Sequence, residues 1–520
     1  MPILGSIIKS TIELRGKIPM ENLKTQDAYK MQIRTLKKLL RQAQLTSFGE
    51  EYNFQDMLRQ RNPLNLFRQR VPLYDYDSMH RLWWYRTLNG EAYVSWPGQV
   101  KYFALSSGTS GASSKYLPVT RDMLRAIQRT SFKQLWSLSK YDFPNEFYSK
   151  GILMLGGSTQ LQFNGTYYEG DLSGITTGNL PFWFQHFYKP GNRISKETNW
   201  TTKLDEIIKK APEWDIGVIC GVPAWLQILL EKIIETYNLN TIHDMWPNLS
   251  IYVHGGVSFA PYQKGFEKLL AHPLTYMETY LASEGFIAYQ SRPNTNAMQL
   301  VLDNGIFYEF VPFNESNFDD DGNLKPDARV LNISEVEEFK DYGLLITTCA
   351  GAWRYLIGDT IRFTSKALNE IVITGRTKQF LSLCGEHISQ ENLNHAVEML
   401  SKKLNITIRE FAVAGVKHEK GMFAHKWYLG CDSPLDAAVA AGCLDENLKI
   451  LNDDYRTERL HAIREVTAEV MDPSVFYEWL KLSGKEGGQH KFPRVLKNVK
   501  LDSWTEFLIN RKQKTENRKQ

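Results

Sequence analysis

The chain has 520 residues, 42% of them hydrophobic and 23% charged, which is enough to bury more than one core and too long for a single compact domain. Its 62 basic and 58 acidic residues leave a formal charge of +4, which excludes the concentrated basic surface of a nucleic-acid binder, so no nucleic-acid partner is expected. Five scattered cysteines without a CxxC pair exclude a disulfide framework and a zinc site, and no apolar run reaches the length of a membrane span; the expectation is a cytoplasmic protein with no membrane partner.

In chain order, the first apolar pieces are broken by Lys9, Glu13 and Arg15 and do not read as a secretion leader. From about residue 32 to 141 the pattern is mainly helical around one loop, SSGTSGASSK at 106–115, with a strand expected at 100–105 and a helix at 121–138. Glycines let backbone N–H groups approach an anion, and hydroxyls with a terminal ammonium add donors, so Ser106, Ser107, Gly108, Thr109, Ser110 and Lys115 suit a chain of phosphates at a strand–helix junction. It is not a Walker A loop, because neither Gly108 nor Gly111 has a Gly-Lys at the required distance.

Buried strands are expected at 151–155, 216–220 and 249–253. Between the last two, Pro223–Tyr237 places Trp225, Leu226, Leu229, Leu230, Ile233 and Ile234 at helical spacing. Strand, helix, strand implies a parallel α/β sheet. Asp303-Asn304-Gly305 between two apolar runs predicts a hairpin over 298–311, and the polar stretch 314–325 reads as an exposed loop. Within it Asn317, Asp319, Asp321 and Gly322 follow the order of a calcium loop, but Ala328 replaces the required Glu and Pro326 interrupts the spacing, so no calcium site is expected. After Thr374 the composition changes, and Gly375-Arg376-Thr377-Lys378 leads into a second, smaller unit with helices expected at 390–402, 432–441 and Ser474–Leu482. The domains are accordingly set at 1–376 and 377–520.

Four more motifs follow the first loop: His254-Gly255-Gly256 after a strand, YLASEG at 280–285, YLIGD at 355–359, and GRTKQFLSLCGEH at 375–387. With QHKFPR at 489–494, this ordered set resembles the acyl-adenylate-forming superfamily, and within it the Gretchen Hagen acyl acid amido synthetases, which in plants join auxin or jasmonate to amino acids. The resemblance implies an α/β fold: a large N-terminal domain of parallel and mixed sheets flanked by helices with a β-barrel-like part, and a smaller, mobile α+β C-terminal domain. It implies ATP and Mg²⁺ as cofactors. Glu284 matches the magnesium-associated acid, Asp359 the acid that accepts from ribose hydroxyls, and Gly255 and Gly256 the backbone against adenine; Tyr280, Ser283 and Arg376 join the nucleotide site. Lys378 matches the hinge. Lys491, with Glu284 and Lys115, makes up the catalytic set.

The chemistry of these residue types agrees. A carboxylate attacking an α-phosphate brings two anions together, so the site must neutralise charge along the whole triphosphate. The expectation is an ATP-dependent ligase that adenylates a small carboxylic acid and passes the acyl group to an amine, an amino acid. An acyl-CoA ligase sharing the first step is the alternative, and a non-catalytic nucleotide-binding relative is the third reading. His254 reads as a strand-end residue, Cys384 and His387 lack a second ligand pair, and Trp183, Phe184, His186 and Trp225 are not assigned to an acyl pocket.

Overall fold

The computed structural model describes residues 2–16, 25–106, 115–256, 259–319, 322–378, 381, 388–417, 423–452, 455–456, 459, 463–484 and 491–517. Among the described residues one eleven-stranded sheet dominates. Its parallel part runs Tyr188–Lys189, Gly151–Leu155, Ile216–Gly221, Ile251–Gly255, Thr275–Ala282, and its antiparallel part continues with Gly285–Tyr289, Met298–Leu300, Glu370–Arg376, Tyr355–Ser365, Asp341–Thr348 and Ile306–Pro312. A small sheet carries Lys115–Val119 against Tyr102–Ser106, and a separate four-stranded sheet, Ile463–Met471, Phe423–Cys431, Ile408–Lys417 and Val495–Leu496, forms the second body. No helix among the described residues is long and apolar enough to cross a membrane.

The helix Pro223–Tyr237 follows its expected bounds, with Pro223 in the first turn, where its missing N–H costs nothing, and Asn238 in the left-handed conformation closing the end. Its apolar face, with Trp225, Leu226, Leu229, Leu230 and Ile233, is buried with Leu204 and Ile207 of the helix Trp200–Lys210 in one core. Parallel strands on either side of that helix leave their carboxyl ends at Gly255-Gly256 and the neighbouring loops, the edge where open α/β sheets bind ligands.

Three expected elements differ. Met298–Leu300 and Ile306–Pro312 do not form a hairpin: the first is already paired on one side to Gly285–Tyr289 and on the other to Glu370–Arg376, so no edge remains for the second. The segment between them crosses over, and its backbone is satisfied by Gln32 of the helix Thr25–Ala43, whose Nε2 donates to Leu302 O at 2.8 Å and to Ile306 O at 3.1 Å. In the second body the helix expected at 432–441 is Ala437–Leu451, because the Asp436 side chain accepts from Val439 N at 2.9 Å and sets the start there. The stretch expected to be an exposed loop is anchored: Phe318 is buried, and Asn317 donates to Pro312 O at 2.9 Å while accepting from Arg329 N at 2.7 Å, which commits its amide to the fold.

The strand Tyr355–Ser365 is held in place by the residue before it. Arg354 is buried, with φ +41°, and donates to Glu309 Oε2 at 2.9 Å and to the carbonyls of Val71 and Arg68 at 2.8 and 3.1 Å; Arg68 meets the other Glu309 oxygen at 2.8 Å. The N-terminal helices are thus tied to the strand that carries Asp359. Glu309→Ala strands a buried guanidinium and is predicted to destabilise the protein by about 3–5 kcal/mol, measured by chemical denaturation; a loss below about 1 kcal/mol would show that the pair is not needed.

Candidate active site

Asp359 and Arg376 are partners in register on adjacent antiparallel strands, which directs both side chains to one face. Arg376 Nε donates to Asp359 Oδ1 at 2.9 Å, and Tyr280, from the strand Thr275–Ala282, donates its hydroxyl to Oδ2 at 2.5 Å. A carboxylate offers about four lone-pair sites, so two acceptor positions on Asp359 remain open. Glu284 sits with Ser283 in the turn joining Thr275–Ala282 to Gly285–Tyr289, and Tyr355 donates to its Oε1 at 3.5 Å.

Lys115 faces this pair from the small sheet, directly opposite Ser106 in the ladder, with its ammonium 5.1 Å from the centre of the Tyr76 ring. Tyr76 is fixed in turn, accepting from Tyr116 N at 2.8 Å. Lys491 arrives from the second body, and its ammonium donates to Gly256 O. Gly256 has φ +82°, and a Cβ there would lie 2.5 Å from Lys491 Nζ. Gly255 has a different reason to be glycine: a Cβ would lie 2.4 Å from Thr279 O, so close strand approach already requires it before any ligand is considered.

The electrostatics follow from crowding charge in a poorly solvated cleft. Burial, followed by the Asp359 carboxylate, pushes Glu284 from an ordinary 4.5 up to about 7, while Lys115 and Arg376 pull the other way. Lys115 is lowered by burial and by Arg376, with Glu284 opposing. Lys491 is pushed down to about 8 by desolvation of its ammonium within the cleft and by the Arg376 guanidinium, with Asp359 opposing, although much of its side chain remains open to solvent. Asp359 acts first on Arg376, holding it more firmly charged.

Thus Lys115, Tyr280, Glu284, Asp359, Arg376, Gly255, Gly256 and Lys491 surround one cleft, and Ser283 shares the turn with Glu284. Ser107, Gly108, Thr109 and Ser110 lie outside the described residues, as do Cys384 and His387. Lys378 is the first exposed residue past the large sheet. Thr377 before it is buried and donates its N–H to Gly358 O at 2.9 Å, and its own carbonyl occupies the space that a Cβ on Gly322 would need, 1.8 Å away. The positive charge of Lys378 reaches Asp75. His254 is buried at its strand end and pushed down to about 4, hence neutral, and Trp225 is core, 5.1 Å from Trp200. Tyr355 and Tyr76 are site residues that the motifs alone do not mark. Tyr355 opens the same YLIGD motif as Asp359, a usable signal, whereas Tyr76 carries no local sign of its contact with Lys115.

Among the described residues no cluster of three or more metal-ligating side chains occurs. A cation delivered on phosphates needs only one or two carboxylates from the protein, and Glu284, desolvated and lightly partnered, fits that need. Because Glu284 binds its proton more tightly in the folded chain than in the unfolded one, its contribution to stability is complete below its ordinary 4.5 and is lost as pH rises through about 7. Glu284→Gln removes that loss. The melting temperature of the native chain is predicted to fall relative to Glu284→Gln between about pH 5 and 8; parallel curves would refute the assignment.

Family models match the chain in three consecutive pieces: the GH3 family N-terminal domain over residues 20–204, the central domain over 299–375 and the C-terminal domain over 391–500. The chain is 28% identical over 322 residues to the indole-3-acetic acid-amido synthetase GH3.4 of Arabidopsis thaliana, covering 57% of this chain and 50% of that protein. It is 22% identical over 548 residues to the jasmonoyl-L-amino acid synthetase JAR6 of Nicotiana attenuata, covering 91% of this chain and 92% of that one. The chain therefore spans about half the length of the Arabidopsis relative and nearly all of the Nicotiana one. The fold is that of a solved GH3.15 acyl acid amido synthetase, with a TM-score of 0.74 at 18% identity covering 96% of both chains. It is also similar to a 2-hydroxyisobutyryl-CoA ligase, with a TM-score of 0.60 at 12% identity covering 95% of this chain and 93% of that one. By its three matching domains and its fold, the chain belongs to the GH3 family.

Proposed function

We propose that this chain is an ATP-dependent ligase of the cytoplasm that adenylates a small carboxylic acid and transfers the acyl group to the amine of an amino acid. The observation that carries this reading is the meeting, in one cleft, of a ribose-type acceptor at Asp359, an isolated carboxyl at Glu284, and lysines from two different bodies, Lys115 and Lys491. The amine acceptor rests on the named activities of the amido synthetase relatives.

In the first half-reaction an oxygen of the acid attacks the α-phosphorus, and the bond to the bridging oxygen breaks as pyrophosphate leaves. Asp359, held open by Tyr280 and Arg376, accepts from the ribose hydroxyls. Lys491, with Lys115, offsets the negative charge that gathers on the reacting phosphate, in a setting where fixed charges act strongly. Magnesium, held by Glu284 together with phosphate oxygens, would supply further charge neutralisation. In the second half-reaction the amine nitrogen attacks the acyl carbon and AMP departs. We place the boundary between the bodies at Lys378, about which the smaller one turns between the two steps.

ATP/pyrophosphate exchange over a panel of aryl and aliphatic acids tests the reading, and mass spectrometry with amino acids and coenzyme A both present identifies the acceptor. Lys491→Ala is predicted to lower exchange about 10²–10³-fold with AMP binding retained, and kcat/KM for ATP in exchange, which reports the free chain, should decline above about pH 8 as Lys491 loses its proton. Unchanged exchange in Lys491→Ala would remove that residue from the mechanism.

A further inference from the structure

The helix Ala260–Glu267 follows the Gly255-Gly256 loop and inserts Tyr262 into the second body. There Tyr262 is 3% exposed, donates to Glu410 Oε1 at 2.9 Å and accepts from Arg494 Nη2 at 3.0 Å. Glu410 and Arg494, both from the second body, are 3% and 4% exposed. Arg494 donates to Glu410 Oε2 at 2.6 Å and to Phe411 O at 3.0 Å, and its guanidinium lies 4.3 Å from the centre of the Phe411 ring. Tyr477, also from the second body, donates to Glu410 Oε1 at 3.3 Å.

The segment bearing Arg494 also bears Lys491. It is rigid within its own body: Phe492 packs 4.7 Å from Phe476 and 4.9 Å from Trp504, and Arg494 O accepts from Val413 N at 2.9 Å. Two residues of this segment therefore grip two points on one loop and helix of the large body, Lys491 at Gly256 and Arg494 at Tyr262. Fixing the second point removes freedom from the first.

We propose that Tyr262 is a positioning residue which, by bridging the buried Glu410–Arg494 pair across the two bodies, docks the smaller one so that Lys491 lies at Gly256 for adenylation; the catalytic part of this proposal rests on the functional reading above. The arrangement suits a contact that must break. Glu410 and Arg494 belong to the same body and keep each other when it departs, so undocking strands neither buried charge, and at this contact only the Tyr262 hydroxyl exchanges its partners for water; the other polar links between the bodies, Arg409–Glu231 at 2.9 Å, Lys264–Asn405 at 2.7 Å and Lys491–Gly256, are less deeply buried. A hydroxyl flanked by charged partners is enough to bias a two-position equilibrium without locking it.

The test uses the full chain and two variants that each remove one hydroxyl from the same carboxylate, Tyr262→Phe across the interface and Tyr477→Phe within the second body. Lys491 is acetylated with an N-hydroxysuccinimide acetate across a pH series without nucleotide, and its labelling is read by peptide mass spectrometry. In the native chain the labelling midpoint is expected near the depressed value of about 8 set by desolvation and Arg376 against Asp359. In Tyr262→Phe it should rise by about one pH unit or more, and ATP/pyrophosphate exchange should fall about 10- to 100-fold in kcat, while Tyr477→Phe keeps the native midpoint. A native midpoint in Tyr262→Phe, or an equal rise in Tyr477→Phe, overturns the proposal. Absence of exchange by the native chain with every acid overturns the functional reading instead, and the labelling comparison still decides the docking.

Discussion

Two carboxyl groups, Glu284 and Asp359, share a cleft with little water, and keeping them there is the constraint around which the molecule is arranged. Their mutual repulsion and desolvation favour a proton on one of them, and the fold answers with unequal environments. Asp359 receives a guanidinium fixed by strand register and a phenol hydroxyl that reaches it across the same sheet. Glu284 receives its own backbone N–H, a long contact from Tyr355 and the fields of Lys115 and Arg376, and no ion pair among the described residues. One carboxylate is thereby organised to accept hydrogen bonds, and the other is left short of positive charge, which is the condition for recruiting a cation with a phosphate ligand.

The same constraint explains the division into two bodies. Lys115 belongs to the large body and stands over Tyr76, whereas Lys491 belongs to the second body and meets the cleft across the boundary between the two. On the proposed turning of the smaller body, the Lys491 ammonium would enter and leave with it and give the cleft two charge states without local rearrangement. The buried Tyr262–Glu410–Arg494 contact lies on the helix that follows the Gly255-Gly256 loop, so the loop that meets Lys491 and the surface that meets Arg494 are neighbours in sequence.

Much of this was legible in the residues, and the failures have a physical pattern. Pro223–Tyr237 and Ser474–Leu482 took their expected bounds because each has a period of 3.6 and a local stop signal. The motifs at 280–285 and 355–359 lie on the large sheet, with Glu284 in the turn after Thr275–Ala282 and Asp359 within Tyr355–Ser365. The hairpin at 298–311 failed because turn chemistry is local, whereas pairing depends on which strand edges distant segments have already taken. The partners of the site residues were hidden for the same reason. Tyr262 and Arg494 meet across 232 positions of sequence, and nothing near Tyr262 distinguishes it from an ordinary core tyrosine. Arg494 was the better clue, since an arginine directly after a Phe-Pro pair beside a lysine is a charge placed among apolar neighbours, which needs a buried partner.

A crystal structure with AMP tests the central claim most directly. The account predicts ribose hydroxyls at about 2.5–3.0 Å from the open positions of the Asp359 carboxylate, adenine beside Gly255-Gly256, and the phosphate turned toward Lys115 and Lys491. AMP bound elsewhere, with Asp359 engaged only by Tyr280 and Arg376, would contradict it.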